Sequence, residues 1–407
     1  MKFWRIYFFD LQGAKRRRSQ SYGEHLQQGR AKKERDKNHL VIPRGVYKCL
    51  FNFWGSGTIH VECGEMNPKR VTIYDLAREL GISASYISRA LNDHPTINPK
   101  VIESVKKKAQ ELNYKHNSHA ANLRQGSSKT IGVIVPHINQ YFFSEAISGI
   151  EEVCFENNHS LIICQSHESF QHECKAIDTL VHQNVDCILI SVSAETHSFE
   201  HLQNIRKHNI ELIQFDRCME EVDSFKILND NREITYQVSK SLIEQGYRKI
   251  AFIGGPSHLS TFGLRKEGFL QAIKEHGLNI PAHFIVENAL SREEAIEVAR
   301  ELLVLSEPPD AFLSISDHLS LGVLLVAESM GIQVPAQLGI FGFANEVFAP
   351  IIKPPLSSVD QRSKELGKRA AQIYFEFILK GKTTTPEEKR EIIVSKLLVR
   401  GSSKRVL

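Results

Sequence analysis

From Thr130 onward the chain alternates between short apolar runs and amphipathic segments of helical length. TIGVIVP is followed by SEAISGIEEVCFENN, SLIICQS by QHECKAIDTLVHQN, DCILISV by FEHLQNIRKHN, and ELIQFDR comes next. The pattern resumes with TYQVSKSLIEQG, KIAFIGGP, LRKEGFLQAIKEHG, HFIVE, EEAIEVARELL, AFLSIS, LGVLLVAESMG and LGIFGFA. A short, continuous apolar run reads as a strand buried on both faces, and such strands belong to parallel sheets covered by helices. The alternation therefore predicts an α/β body over residues 130–407, built of parallel sheets with flanking helices. That span exceeds one comfortable sheet. Two similar lobes are expected, with a ligand held in the cleft beyond the C-terminal ends of the strands.

The stretch before the body has another period. VTIYDLARELGISASYISRALNDHPTINPKV, starting at Val71, places Ile73, Leu76, Ala77 and Leu80 on one helical face. Thr72 is a suitable N-cap and Asp75 falls three residues on, where a capping box needs an acceptor. Gly81 ends this helix, because glycine accepts the left-handed conformation there. Ser83 caps a second helix running to about Leu91, and Asn98-Pro99 opens a third. Val101, Val105 and Leu112 face inward on the third, with Lys106, Lys107 and Lys108 largely outward. Helix, glycine turn and helix make a helix-turn-helix, whose second helix enters the DNA major groove. Close approach to DNA needs small residues, which Ser83, Ala84 and Ser85 supply, while Arg89 reaches a base or a phosphate. A generic helical hairpin would show the same periodicity.

Charge is distributed unevenly. Residues 1–65 hold 13 Lys+Arg against 6 Asp+Glu, and residues 66–129 hold 11 against 5. Residues 130–407 hold 27 against 36, so a basic N-terminal block precedes an acidic body. That asymmetry fits a nucleic-acid-binding head on a non-binding core. Residues 1–65 show no sustained period. They read as a disordered basic arm, or as an over-extended start with the natural one at Met66. The opening MKFWRIYFFDLQG makes a poor signal peptide, and no apolar run is long enough to span a bilayer. None of the seven cysteines forms a Cys-x-x-Cys pair, and buried reduced thiols in the cytoplasm are expected. His167 and His172 near Cys174 have no matching second pair, so a solvated helix is expected there rather than a metal.

The residues go further than a generic head. Ser88-Arg89-Ala90-Leu91-Asn92, Leu112-Asn113-Tyr114, Asn117, Ala120, Leu123 and Ile131-Gly132-Val133-Ile134 appear in order. They are followed by Asp216-Arg217, Asp230-Asn231, Gly246-Tyr247-Arg248-Lys249-Ile250 and Phe252-Ile253-Gly254-Gly255-Pro256. Over about residues 70–400 this series resembles the lactose repressor family of bacterial transcription regulators. The resemblance implies residues 66–116 as the DNA-binding head, 117–129 as hinge helix and linker, and 130–407 as a two-lobed body similar to periplasmic sugar-binding proteins. It implies DNA contacts from Thr72, Ser83, Ala84, Ser85, Tyr86, Ser88, Arg89 and Asn92 in the head, and from Asn117, Ala120 and Leu123 in the hinge. Leu123 matches the leucine wedged into the minor groove, although composition alone reads 117–126 as a plain linker. It further implies effector contacts from Tyr141, Phe142, Phe143, Arg265, Ser316, Asp317, Ala344 and Asn345, with Asp317 a helix cap first.

Three positions depart from the family pattern. Tyr86 stands where a small residue is frequent, His116 where proline is usual, and Ala344 where many members carry an aspartate that meets a sugar hydroxyl. Arginine without that aspartate points to an acidic or phosphorylated sugar. The expected function is a cytoplasmic repressor, a homodimer or tetramer, binding palindromic double-stranded operator DNA under control of a small carbohydrate effector. No cofactor, metal or membrane partner is expected. A solute-binding protein would need a signal peptide and no head. An enzyme would need a nucleophile with a base, a metal cluster or a phosphate loop; Gly254-Gly255 lacks the rest of such a loop.

Overall fold

A computed structural model describes residues 48–53, 59–64, 71–114, 127–385 and 387–405. The chain divides into two units, Met1–His116 and Asn117–Leu407.

In the first unit, β1 (Lys48–Phe53) pairs antiparallel with β2 (Ile59–Gly64) and sets Cys49 opposite Cys63. Reading residues 1–65 as patternless missed this pair. Ile59, Val61 and Cys63 do alternate with His60 and Glu62 at the two-residue period of a strand, over too short a run to stand out. Three helices follow: α1 (Ile73–Leu80), α2 (Ala84–Leu91) and α3 (Pro99–Glu111). Thr72 and Asp75 form the expected reciprocal capping box, and Gly81 takes φ 65° at the C-cap. Ser83 Oγ accepts from the Tyr86 amide, and Asn98 Oδ1 accepts from that of Lys100 with Pro99 in the first turn. Leu76, Ile87, Ala90, Ile97, Val105 and Ala109 form the core of these helices. Val101 and Leu112 are half-buried at its edge.

The second unit carries the predicted parallel sheets. β3 (Thr130–Val135), α4 (Tyr141–Glu156), β4 (Ser160–Gln165), α5 (Phe170–His182), β5 (Cys187–Ile190), α6 (Glu200–Ile205), β6 (Glu211–Phe215) and β7 (Phe225–Asn229) build a first lobe. The chain then crosses into α7 (Asn231–Glu244), β8 (Ile250–Ile253), α8 (Ser260–Glu275), β9 (Ile285–Val286), α9 (Arg292–Leu303), β10 (Ala311–Ser314), α10 (Asp317–Ser329) and β11 (Gly339–Phe341). After β12 (Ser358–Asp360) it returns through α11 (Ser363–Ile373) and β13 (Arg390–Ile393), and β14 (Lys396–Leu398) pairs antiparallel with β12. The sheets run β13-β7-β6-β5-β3-β4 and β11-β10-β8-β9, with every pairing in both parallel. Ile131, Val133 and Val135 face α4 and α11, while Ile134 joins Ile177 and Leu180 on the opposite face. This is why β3 reads as continuously apolar. Among the described residues no helix is long and apolar enough to cross a membrane.

Glycine sets the approach of α4 to α11. A Cβ on Gly149 would lie 2.1 Å from the Lys364 carbonyl oxygen, and one on Gly367 would lie 1.9 Å from that of Ala146. Two backbones in contact yield far less than side chains do. Gly149→Ala and Gly367→Ala are each expected to destabilise the body by roughly 1–3 kcal/mol, read as a lower urea midpoint. Unchanged midpoints in both variants would show that the helices part freely.

Candidate functional site

In the head, α2 presents Ser83, Ser85, Arg89 and Asn92 to solvent, with Ala84, Tyr86 and Ser88 half-buried. Tyr86 is an aromatic shelf, with the Arg89 guanidinium 5.7 Å from its ring centroid. Ser83 and Ser85 hydroxyls lie 3.1 Å apart, and Asn92 Nδ2 donates to the Ser88 carbonyl, which keeps the face low. Thr72 caps α1 and is exposed beside Tyr74, whose ring is largely bare. Helical periodicity marks inward-facing residues and so carries no signal for Tyr74. Lys106 pairs with Asp93 at 2.6 Å, and Lys108 lies 3.3 Å from Glu111. Both are surface ion pairs, and Lys107 beside them is exposed with no ion pair among the described residues. Asn117, Ala120 and Leu123 of the expected hinge lie outside the described residues.

The second unit holds a cleft of about 380 Å³ between its lobes. Of the expected effector residues, Phe142, Phe143, Arg265, Ser316 and Ala344 line it. Tyr141, Asp317 and Asn345 do not. Tyr141 opens α4, and its amide donates to Glu346 Oε1. Asn345 Oδ1 turns away to accept from Arg400 at 2.7 Å. Asp317 is fully buried behind the wall, where it accepts from the Glu346 amide and the Ser358 hydroxyl. Its burial follows from position: Ser316 takes the cap of α10 and turns Asp317 into the first helical turn.

The cleft arginines are heavily engaged. Arg217 makes a forked contact to Glu168, with distances of 3.0 and 2.8 Å, and lies over the rings of Phe262 and Phe143. Arg265 donates from Nε to Asn231 Oδ1 at 2.8 Å and from Nη1 to the Ile315 carbonyl at 3.0 Å, and it stacks on Phe343. Burial pushes Arg265 down to about 10, a fall that Asp216 opposes, so it stays charged at neutral pH. Burial pushes the Asp216 carboxyl up against the pull of Arg217 and Arg265. The hydrogen bond to Glu346 raises His318 above the ordinary histidine range, whereas burial lowers His137.

Ala344 brings no carboxylate to the cleft, but other residues do. Glu168, Asp216, Glu293 and Glu346 all line the cleft. Asp216, Arg217 and Phe262 sit inside or beside motifs visible in the sequence, and Glu346 ends GFANE. Glu168 and His137 carry no such signal, because loops far apart in sequence bring them together.

Burial raises Asp317 to about 7, against the Ser358 and Glu346 hydrogen bonds that favour its ionised form. An unfolded aspartate titrates near 3.9, so between about pH 4 and 7 the folded chain holds a proton that the unfolded chain has lost. Stability from this group is full below that window, falls as pH rises through it and levels off above pH 7. The loss is on the order of 4 kcal/mol. Relative to the native chain, Asp317→Asn should therefore gain urea resistance at about pH 8 that it lacks at about pH 5. An equal difference at both pH values would refute the assignment.

Residues 240–403 match the family model of a periplasmic binding protein-like domain. The chain is 30% identical over 307 residues to the HTH-type transcriptional repressor PurR of Vibrio parahaemolyticus serotype O3:K6, covering 75% of this chain and 92% of that protein. Among solved structures it is similar to the lac repressor dimer bound to operator and an anti-inducer, with TM-score 0.72 and 20% identity, over 83% of this chain and 100% of that one. It is also similar to the complex of the transcriptional regulator CelR with cellobiose, with TM-score 0.61 and 23% identity, over 82% and 100% of the two chains.

Proposed function

The chain belongs to the lactose repressor family of transcriptional regulators, and from that premise we propose that it is a dimeric, operator-specific repressor controlled by a small carbohydrate in the cleft. The observation that carries the reading is the cleft itself: aromatic rings of Phe143 and Phe262 beside paired guanidinium and carboxylate groups. Aromatic faces pack on the apolar faces of a sugar, and fixed charged groups satisfy its hydroxyls. The cellobiose held by the CelR structure supports that ligand class. On this reading α2 reads bases in a palindromic site, residues 117–126 form the hinge on DNA, and the protein acts in the cytoplasm without enzymatic chemistry.

A ligand controls the protein only by binding the DNA-competent and DNA-incompetent states with different affinity. The test selects DNA from a randomised palindromic pool, then titrates mono- and disaccharides into the complex. A sugar that changes operator affinity about tenfold or more, in either direction, supports the reading. Selection of no sequence, or a cleft indifferent to every carbohydrate, would overturn it.

A further inference from the structure

Ala344 brings only a methyl group to the cleft, yet the backbone around it is tightly held. Its φ is +100°, a conformation that side-chain-bearing residues rarely adopt. The Ala344 amide donates to the Val359 carbonyl at 2.9 Å, the Asn345 amide to Ser358 Oγ at 2.9 Å, and the Glu346 amide to Asp317 Oδ2 at 2.8 Å. A segment fixed at three successive amides aims the next side chain reproducibly. That side chain is Glu346, which lines the cleft and is 8% exposed.

The carboxylates of the cleft are engaged to different degrees. Glu168 is taken by Arg217 and by the Ala194 amide, and Glu293 by Arg292. Asp216 is 5% exposed and reached by the Ser191 hydroxyl. Glu346 uses only Oε1, which meets the Tyr141 amide and His318 Nε2, each at 3.3 Å. Oε2 makes no hydrogen bond to any described residue. Glu346 Oε2 is thus a carboxylate oxygen on a tightly held segment, with lone pairs to give to a ligand donor. Of the cleft arginines, Arg217 pairs with Glu168 and Arg292 with Glu293, while Arg265 donates to the neutral Asn231 and Ile315 oxygens.

We propose that Glu346 is the carboxylate that reads ligand hydroxyls in this cleft, and that it makes the cleft select neutral polyhydroxylated ligands over anionic ones. The proposal rests on the cleft being the effector site. A hydroxyl donating to an ionised carboxylate makes a charge-assisted hydrogen bond, roughly twice as strong as a neutral one. A phosphate or carboxylate in the same place would set two negative charges side by side in a partly dry site, where Glu168, Asp216, Glu293 and Glu346 already outnumber Arg217, Arg265 and Arg292.

The experiment is calorimetry on the full chain, at matched ionic strength, with ribose, glucose and cellobiose against ribose 5-phosphate, glucose 6-phosphate, glucuronate and inorganic phosphate. Glu346→Gln keeps the Oε1 acceptor and the side-chain shape, and Glu346→Asp keeps the charge but withdraws it from the cavity. The expected result is that a neutral member binds the native chain, its anionic counterpart binds at least 100-fold more weakly, and both variants lose 10-fold or more for the neutral one. Unchanged neutral affinity in both variants would overturn the role of Glu346 while leaving the carbohydrate reading intact. Preference of the native chain for the anionic sugars would overturn the selectivity and also leave that reading intact. Binding of no member of either class would overturn the effector assignment and this proposal with it.

Discussion

A fourfold rise in salt, from about 50 to about 200 mM, is expected to weaken operator binding by about 10³-fold. The described head residues 71–114 carry six Lys/Arg and five Asp/Glu, so net charge there is nearly balanced. What matters is which cations are spoken for. Arg78 lies 3.5 Å from Asp75, Lys106 pairs with Asp93, and Lys108 lies near Glu79 and Glu111. Arg89, Lys100 and Lys107 are exposed, and no ion pair engages them among the described residues. Two heads would bring six such cations to DNA. Each phosphate neutralised contributes about −0.9 to the slope of log affinity against log salt, and a slope near −5 gives the stated loss. Anisotropy of a labelled operator over several salt concentrations measures it. A flat response would remove this face from DNA binding. Lys107→Ala should flatten the slope by about one unit per head while weakening random and selected sequences alike.

The helices and strands were legible because local rules decide them. Thr72, Ser83 and Asn98 cap where a side-chain acceptor precedes a helical period, and Gly81 ends α1 where a positive φ is needed. Buried parallel strands announce themselves as unbroken apolar runs. The site was legible only in part. Arg265, Phe142 and Phe143 could be placed by resemblance, and they do line the cleft. Asp317 could not be placed correctly, because whether the first residue of a helix faces a cavity or a core depends on what packs above it. Here that is Ser358 and the Glu346 amide, 41 and 29 residues away in sequence. Ion-pair partners are equally nonlocal: Glu168 meets Arg217 across 49 positions. Basic charge in 66–129 looks like one block in the sequence, but Arg78, Lys106 and Lys108 are paired inside the head, and Lys69, Arg70, Lys115 and Arg124 lie outside the described residues.

Arg265→Ala is expected to destabilise the body by about 3–5 kcal/mol, from two stranded buried acceptors and the cavity left behind. The sequence alone points to a simpler outcome, loss of effector response with DNA binding spared. Geometry revises that expectation. Arg265 is only 3% exposed, and its guanidinium satisfies Asn231 Oδ1 and the Ile315 carbonyl while stacking on Phe343. Asn231 opens α7 just beyond the crossing out of β7, and Ile315 follows β10, so one side chain ties the crossing to the end of a strand. Its charge also lowers Asp216, which burial alone would drive upward. Alanine would strand two acceptors, leave Asp216 with Arg217 as its nearby cation and open a cavity against Phe343. Arg265→Lys retains the charge but loses the fork, and should cost roughly 1.5–3 kcal/mol. Urea unfolding read by fluorescence would show the alanine midpoint well below the lysine one, with the native chain highest. If alanine and native midpoints coincide, the buried network contributes nothing to stability, and the residue serves the ligand alone. If the order holds, any loss of effector response in the alanine variant must be measured on the folded fraction, since unfolding and uncoupling would look alike in a DNA-binding assay.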